Sequence, residues 1–353
     1  MDHEKYMRRC IELAKNGLGM TYPNPMVGAV IVADGKIIGE GWHRKAGGPH
    51  AEVLAVQSVK DPSMLVKSTI YVSLEPCSHF GKTPPCCDLI IAHNIPNVVI
   101  GTVDPHEKVA GRGIEKLKAA GKNVTTGILE RDCRELNKRF FTFHNKKRPY
   151  VILKWAQSAD GFIAPLSKDE RAPVWISNSY SQQLAHKWRT EEQAILVGTR
   201  TVIDDNPKLD ARHWAGQNPV RIVIDNSGHI PDESHIFDNQ VQTIVFGQGK
   251  KPNRTNLLFE KFDVQSDADA NLSPAKAVTR ILEVLYHHGL QSVIVEGGAK
   301  TLQSFIDAGL WDEARVFIGR TVIAQGVPAP LLKGHARKQP VYNDELLIFT
   351  NHD

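Results

Sequence analysis

The 353-residue chain lacks the features of membrane, secreted and disordered proteins. No apolar run approaches the roughly 18 residues that a membrane-spanning helix needs. The start of the chain, MDHEKYMRRC, has no apolar core of the kind a secretory signal carries. Hydrophobic residues make up 41% of the chain and charged residues 23%, which excludes disorder. We therefore expect a soluble globular protein of the cytoplasm that does not act at a membrane.

Cysteines and aromatic residues are scarce, and neither sign of charge dominates. The chain has five cysteines, too few for a disulfide framework at this length, and Cys77, Cys86 and Cys87 lie close together, which favours metal ligation. The net charge of +4 is spread along the chain and aromatic residues make up 7%. Composition thus gives no case for a nucleic-acid partner, and we expect none.

The length predicts two domains, since a domain usually has about 100–200 residues. Charge and a proline interrupt the pattern at Asn145–Pro149. We place the boundary there, which gives domains over residues 1–146 and 147–353.

Both halves alternate short β-branched runs with amphipathic stretches, the pattern of a layered α/β fold, with a mainly parallel sheet in the first half. Strands predicted in the first half are Val27–Val32, Thr69–Leu74 and Val98–Val103, and helices are Asp2–Lys15, Ala51–Val59, Cys87–His93, Gly113–Ala120 and Glu130–His144. Strands predicted in the second half are Tyr150–Ala156, Ala194–Val197, Arg221–Asp225, Thr243–Phe246, Ser292–Val295 and Arg315–Ile318, and helices include Ser179–Arg189, Pro274–His288 and Lys300–Ala308.

The first half contains a candidate zinc site made of His50, Cys77 and one of the adjacent Cys86 and Cys87. One imidazole and two thiolates suit Zn²⁺, and three protein ligands leave the fourth tetrahedral position for water. Zinc chemistry of this kind needs a carboxylate beside the metal to move protons, and Glu52 is the natural candidate.

The order of these residues fits the H-x-E and P-C-x-x-C signature of zinc nucleobase deaminases, except that the second cysteine lies nine positions after Cys77 instead of three. Both Cys86 and Cys87 fit a helix start there, and we choose Cys86 as the ligand. His43, His79 and His93 pair with no cysteine at a recognisable spacing, so we expect loop or surface residues.

The segments Tyr22–Val32, His50–Glu52 and Glu75–Cys87 closely resemble the bifunctional deaminase–reductase family of riboflavin biosynthesis, in which the long cysteine insert is characteristic. Asp104-Pro105 and Val109–Gly113 also fit this family, and the resemblance covers essentially the whole chain. It implies a cytidine-deaminase-like α/β/α domain followed by a dihydrofolate-reductase-like α/β domain.

The resemblance implies two steps of riboflavin biosynthesis. The first is zinc-dependent hydrolytic deamination of 2,5-diamino-6-(5-phosphoribosylamino)pyrimidin-4(3H)-one, and the second is reduction of the ribosyl group by NADPH, giving 5-amino-6-(5-phosphoribitylamino)uracil. It implies one zinc per chain, held by His50, Cys77 and Cys86, with Glu52 as proton shuttle and Asn24 at the pyrimidine. Homo-oligomers are common among such enzymes, although no interface can be read from the sequence.

The second half has no G-x-G-x-x-G turn after a strand, so a Rossmann site is not indicated. Instead, Ser292–Glu296 is followed by Gly297-Gly298 and a helix, a turn whose backbone can approach a phosphate closely. The resemblance places cofactor contacts at Gln157, Trp175, Thr201, Asp205, Asn226, Gly298, Ala299, Lys300, Thr301, Leu302, Gln303 and Ser304. It places substrate contacts at Arg189, Leu209, Arg212 and Glu296.

A proton must also move when the sugar is reduced, and either Lys154, also a substrate-side residue, or Asp205 could handle it. Pro173 stands where many relatives have a serine two residues before the tryptophan, which puts a substrate contact there in doubt because proline has neither a hydroxyl nor an N–H. Two other readings remain: a second domain that has lost reduction, and an RNA-binding protein built on a deaminase fold.

Overall fold

The structure is a computed structural model that describes residues 2–80, 84–106, 110–167, 171–225, 228–247, 254–261 and 273–351. The chain divides into two compact units, Met1–Lys147 and Arg148–Asp353. In the described part of the chain, no helix is long and apolar enough to cross a membrane.

The first unit is a five-stranded sheet with helices on both faces. Its elements are α1 (His3–Lys15), β1 (Gly28–Ala33), β2 (Lys36–Trp42), α2 (Ala51–Gln57), β3 (Thr69–Leu74), α3 (Cys86–Ala92), β4 (Asn97–Thr102), α4 (Arg112–Ala119), β5 (Asn123–Thr126), α5 (Glu130–Leu136) and α6 (Lys138–Lys146). The described strands lie in the order β2-β1-β3-β4-β5. Helices α1 and α5 pack on one face, while α2, α3 and α4 bury their apolar residues on the other. The predicted α/β/α fold is confirmed.

Two of the four strand pairings described in this sheet are antiparallel, so the expectation of a mainly parallel sheet is wrong. Strand β1 pairs antiparallel with both β2 and β3, whereas β3–β4 and β4–β5 are parallel. The prediction missed β2 because it overlooked Asp34-Gly35, which joins β1 to β2 with positive φ at both residues. An Asp-Gly pair between apolar runs is a strong hairpin signal, because a type I′ turn needs positive φ twice.

The predicted helix Glu130–His144 is two helices, α5 and α6, interrupted at Asn137. The Asn137 side chain accepts a hydrogen bond from Met26 N and donates one to Met26 O, each at 2.8 Å. It thereby satisfies backbone groups of the segment before β1, and its own backbone leaves the helical region (φ −106°, ψ 24°). A contact with a residue far away in the chain therefore sets this helix boundary.

The second unit is built on a nine-stranded sheet. Its elements are β6 (Tyr150–Gln157), β7 (Phe162–Pro165), α7 (Ser179–Glu191), β8 (Ala194–Gly198), α8 (Thr199–Asp205), β9 (Val220–Ile224), β10 (Thr243–Phe246), β11 (Leu257–Glu260), α9 (Pro274–His287), β12 (Ser292–Glu296), α10 (Ala299–Asp307), β13 (Glu313–Ile318), β14 (Gly326–Pro328), β15 (Ala336–Val341) and β16 (Asp344–Thr350). Among the described residues the strand order is β11-β10-β9-β8-β12-β6-β13-β16-β15, and β14 pairs separately with β7.

Seven neighbouring strands of this sheet, from β11 to β13, are parallel, and the hairpin β15–β16 closes the β13 edge in antiparallel pairing. The predicted strands of this half are all present, while β7, β11 and the C-terminal strands β14 to β16 were not predicted. Parallel strands bring their carboxyl ends to one edge, where open α/β sheets bind ligands. Strands β6, β8 and β12 end there in polar residues or glycine.

Candidate metal centre and cofactor cleft

The first unit brings His50, Cys77 and Cys86 together. Their ligand atoms lie within 4.8 Å of one another, with His50 Nδ1 at 3.2 Å from Cys86 Sγ and 3.6 Å from Cys77 Sγ. Tetrahedral zinc, with Zn–N near 2.0 Å and Zn–S near 2.3 Å, would separate nitrogen and sulfur by about 3.6 Å. The spacing and the donor set therefore fit zinc.

Close packing of α2 on β2 positions His50. His50 is the residue just before α2, and Glu52 lies in the first turn. A Cβ on Gly41 would lie 2.5 Å from Ala51 O, and one on Gly39 would lie 2.5 Å from Ala55 O. The two glycines of β2 thus let the helix backbone rest directly on the strand.

The two adjacent cysteines at the start of α3 face different surroundings. Cys86 lies beside His50, and its backbone N–H donates to Cys77 Sγ at 3.3 Å. Cys87 Sγ instead donates to Pro76 O at 3.3 Å and is fully buried among apolar residues. The side-chain hydrogen bond with Cys86, helped by His50, lowers the pKa of Cys77 to about 4. A thiolate, the form that binds metals, is therefore favoured at Cys77.

Glu52 is almost fully buried next to this cluster, with 3% of its surface exposed. Burial and the nearby Cys77 sulfur raise the pKa of Glu52 to about 6, against the lowering effect of His50. A buried carboxyl group beside a candidate metal is the arrangement that proton transfer requires.

His43 also belongs to this region, and the sequence did not predict that placement. It lies in a loop, as expected, and only 3% of it is exposed. His43 Nδ1 is 3.0 Å from Pro49 O, and Nε2 is 3.1 Å from Asn24 Nδ2. Because a carbonyl oxygen only accepts, Nδ1 carries the proton and Nε2 accepts from Asn24. The feature of the sequence that could have indicated this role is the position of His43 directly after β2.

Glu75 secures the loop beside the cluster. Its buried carboxylate accepts four backbone N–H groups, from Asp104, Gly111, Gly113 and Ile114, at 2.9–3.3 Å. A Cβ on Gly113 would lie 2.2 Å from Pro76 O, so α4 begins in direct contact with the residue before Cys77. Glu75 therefore fixes the backbone on one side of the cluster.

The second unit contains a cleft of about 1550 Å³ at the carboxyl ends of its parallel strands. Single-ligand pockets are usually about 300–1,000 Å³, so this cleft has room for two small molecules. It is lined by the ends of β6, β8 and β12, by α7 and α8, and by the start of α10.

A buried group of charges lines the cleft. Glu296, the last residue of β12, accepts from Arg189 Nε at 3.3 Å and Nη2 at 2.8 Å, and Lys154 Nζ lies 3.9 Å from Glu296. Burial alone would raise the pKa of Glu296, but Arg189 and Lys154 outweigh this effect and lower the pKa to about 2. Burial lowers the pKa of Lys154, which makes it a better proton donor near neutral pH.

The Gly297-Gly298 turn forms a backbone surface that a ligand can approach. Gly297 has φ +81° and Gly298 has φ +59°. A Cβ on Gly297 would lie 2.6 Å from Thr201 Cγ2, and one on Gly198 would lie 2.6 Å from Thr301 Oγ1. Because these glycines have no side chains, a ligand can approach their backbone closely. This turn, followed by a nine-residue helix, fits the phosphates of a nicotinamide cofactor.

Most of the residues predicted for the second half line this cleft: Lys154, Trp175, Arg189, Thr201, Asp205, Leu209, Arg212, Glu296, Gly298, Ala299, Lys300, Thr301 and Leu302. Three others do not. Gln157 Oε1 accepts from Trp155 Nε1, Gln303 is bonded to Asp307 and Leu331, and Ser304 Oγ donates to Lys300 O. Asn226 lies outside the described residues.

An arginine holds the segment that carries Pro173 and Trp175. Arg171 Nε donates to Ile203 O at 2.7 Å and Nη2 donates to Ser234 Oγ at 2.9 Å. This fixes the segment near the end of α8, where Pro173 and the half-exposed Trp175 line the cleft.

Comparison with known proteins shows the same two-part organisation. The model of the cytidine and deoxycytidylate deaminase zinc-binding region matches residues 1–102, and that of the RibD C-terminal domain matches 149–336. The riboflavin biosynthesis protein RibD of Aquifex aeolicus is 39% identical over 92% of this chain and 88% of its own. The chain belongs to the RibD family.

Other RibD proteins match over similar lengths. The Bacillus amyloliquefaciens protein is 38% identical over 94% of this chain and 88% of its own. A Thermotoga maritima crystal structure, described as a diaminohydroxyphosphoribosylaminopyrimidine deaminase/5-amino-6-(5-phosphoribosylamino)uracil reductase, has a TM-score of 0.86 and 36% identity and covers 99% of each chain.

As a member of the RibD family, the chain is a bifunctional enzyme of riboflavin biosynthesis, with a deaminase and a reductase domain. The family implies zinc and a nicotinamide cofactor, and it works on a small-molecule substrate. The predicted family, fold class and pair of activities are confirmed.

Replacing Gly297 by alanine is expected to weaken binding of the nicotinamide cofactor at least about tenfold, because the added methyl group displaces Thr201 from the turn. Gly289→Ala is the matched control, since Gly289 also has positive φ (+72°) but a Cβ there would meet nothing within 4 Å. Both variants carry a backbone cost of about 1 kcal/mol. Fluorescence titration with NADPH compares them, and equal affinity in the two variants would contradict the prediction.

Proposed function

We propose that this enzyme deaminates 2,5-diamino-6-(5-phosphoribosylamino)pyrimidin-4(3H)-one and then reduces the ribosyl group of the product with NADPH, giving 5-amino-6-(5-phosphoribitylamino)uracil. The deaminase domain is residues 1–146 and the reductase domain residues 147–353, a division that the compact units Met1–Lys147 and Arg148–Asp353 support. The observation that carries the proposal is the His50, Cys77 and Cys86 cluster beside the buried Glu52, in a chain that also has a cleft of about 1550 Å³.

His50, Cys77 and Cys86 hold one zinc ion per chain. When bound, zinc supplies an activated water near neutral pH. Glu52 takes a proton from the attacking water, whose oxygen bonds to pyrimidine C2, and gives that proton to the 2-amino group. The bond between C2 and this nitrogen then breaks, and the group leaves as ammonia. The bond from Asn24 Nδ2 to His43 orients the amide, so that Asn24 Oδ1 can accept from the pyrimidine.

In the reductase domain the Gly297-Gly298 turn and the start of α10 would hold the phosphates of the cofactor. When bound, the nicotinamide supplies a hydride to ribosyl C1. The bond between C1 and the ring oxygen breaks, and that oxygen takes a proton to become a hydroxyl group. We assign the proton to Lys154, which lies in the cleft, pairs with Glu296 and has a lowered pKa.

Lys154→Met is expected to lower kcat for reduction by about 10²–10⁴-fold, the usual contribution of a positioned acid. Asp205→Asn keeps the shape of the alternative proton donor and is expected to affect NADPH binding more than kcat. Single-turnover reduction of the deaminated substrate separates the two residues. A large loss of kcat in Asp205→Asn with near-normal turnover in Lys154→Met would reverse the assignment.

A coupled assay tests the whole proposal. The purified protein receives the diamino substrate with and without NADPH, while elemental analysis measures zinc. We expect stoichiometric zinc, ammonia release without NADPH, and NADPH oxidation only after deamination. Ammonia release without any NADPH oxidation would instead support a second domain that has lost reduction, and the Pro173 segment would be the first region to examine.

A further inference from the structure

His186 lines the reductase cleft but has no part in the reaction proposed above. Gln182, Ala185, His186 and Arg189 of α7 follow the i, i+3, i+4, i+7 spacing and all line the cleft. His186 is 4% exposed, so it is part of the wall rather than of the outer surface.

The environment of its ring determines which atom His186 offers to a ligand. Nδ1 is fully buried and has no hydrogen-bond partner in the described part of the chain. An N–H buried without an acceptor is rarer and more costly than a bare acceptor nitrogen, so the proton belongs on Nε2. Because Nδ1 is sealed off, Nε2–H is the polar group left available to a ligand in the cleft that His186 lines. The perpendicular ring of His213, with centroids 4.6 Å apart, helps to fix this orientation.

The charges around His186 keep it neutral. Burial, then Arg189, Arg212 and His213, lower the pKa of His186 to about 4, against the raising effect of Asp210. Glu296, which also interacts with His186, is paired with Arg189 and Lys154. Near pH 7 His186 is therefore a neutral donor in a wall rich in positive charge.

Arg189 is already committed to protein partners. Two of its nitrogens bind Glu296, and Nη1 donates to Asp210 O at 3.0 Å. Arg212 is more open: its Nη1 donates to Asp210 Oδ1, and its side chain is 39% exposed. Arg212 and His186 are therefore the groups of this wall that are available to bind an anion, because Arg189 is bonded to Glu296 and Asp210.

We propose that His186 is a specificity-determining residue of the reductase, whose Nε2–H donates to the phosphate ester of the ribosyl substrate beside Arg212. This inference rests on the proposed function. A phosphate gains a charge-assisted hydrogen bond from the neutral imidazole, while Arg212 supplies the charge. The site distinguishes a ribosyl phosphate from the same sugar without phosphate.

The test uses the full-length protein as wild type, His186→Ala and His186→Gln. Reduction of 5-amino-6-(5-phosphoribosylamino)uracil is compared with reduction of its dephosphorylated counterpart, and the ratio of the two kcat/KM values measures the preference for phosphate. We expect this ratio to fall about 10- to 100-fold in His186→Ala, mainly through KM, as for a lost hydrogen bond to a charged group. Glutamine can place its Nε2 near that of histidine, so His186→Gln should recover most of the preference.

A second measurement does not depend on turnover. Calorimetric binding of ribose 5-phosphate, compared with ribose, should show the same loss in His186→Ala and recovery in His186→Gln. Thermal unfolding and ammonia release on the same samples verify that each variant is folded.

Equal loss for both substrates in His186→Ala, or no recovery in His186→Gln, would overturn the inference. If wild type fails to reduce either substrate, the proposed function fails, and the binding data alone decide the role of His186. Binding of ribose 5-phosphate that does not depend on His186 would overturn it in that case too.

Discussion

Glu52→Gln is expected to abolish ammonia release, by about 10²–10⁴-fold or more, while zinc content and NADPH-dependent reduction persist. Glutamine has nearly the same size and shape as glutamate, so the buried site keeps its packing. It cannot take up and release a proton at its side-chain oxygen, which is the role assigned to Glu52. Elemental analysis, an ammonia assay and reduction of pre-deaminated substrate measure the three properties on one sample.

Glu115→Gln is the matched control for this experiment. Glu115 also lies in the first turn of a helix in the same unit, but it is exposed. The control should release ammonia at the wild-type rate. Near-normal deamination by Glu52→Gln would refute the proton-shuttle role, and loss of zinc from that variant would show that Glu52 instead supports the metal cluster.

Replacing Glu296 by alanine is expected to abolish reduction and to lower the free energy of unfolding of the second unit by about 3–5 kcal/mol. The substitution leaves Arg189 and Lys154 buried near one another without their counter-charge. Denaturant unfolding and single-turnover reduction measure the two effects. Glu283→Ala is the control, because Glu283 forms an exposed ion pair with Arg280, and such pairs contribute at most about 1 kcal/mol.

The pH dependence of stability provides a second test of Glu296. Its pKa is about 2 in the folded protein against an ordinary value of 4.5. A lowered carboxyl pKa stabilises the folded state above the ordinary value, and this contribution disappears as pH falls from about 4.5 towards 2. The wild type should therefore lose about 3 kcal/mol more than Glu296→Gln over this range. Parallel stability curves for the two proteins would show that the carboxylate is not stabilised by its neighbours.

The sequence by itself determined the features that are encoded locally. The buried strand Thr69–Leu74 and the amphipathic helix after Asp2 follow from short-range periodicity, and the structure has both. The zinc candidates His50 and Cys77 stand in a motif whose residue types restrict the chemistry. The family resemblance then extended this reading to a second enzyme activity.

Contacts between distant residues were decided only by the tertiary structure. Asn137 ends a helix because it bonds to Met26, 111 positions away, and Arg189 is held by Glu296, 107 positions away. Nothing in the local pattern indicates either pair. The resemblance places a substrate contact at Arg189, and the fold pairs its guanidinium with Glu296 and with the carbonyl oxygen of Asp210.

The choice between neighbouring residues also depended on the fold. Cys86 and Cys87 are chemically identical and adjacent, and only the direction in which α3 presents them separates a cluster member from a core residue. His43 and His186 carry no motif, yet burial and their neighbours give each a defined tautomer. Residue type sets the chemistry that a side chain can perform, whereas burial, orientation and partners arise when distant segments pack together, so only the tertiary structure could assign them.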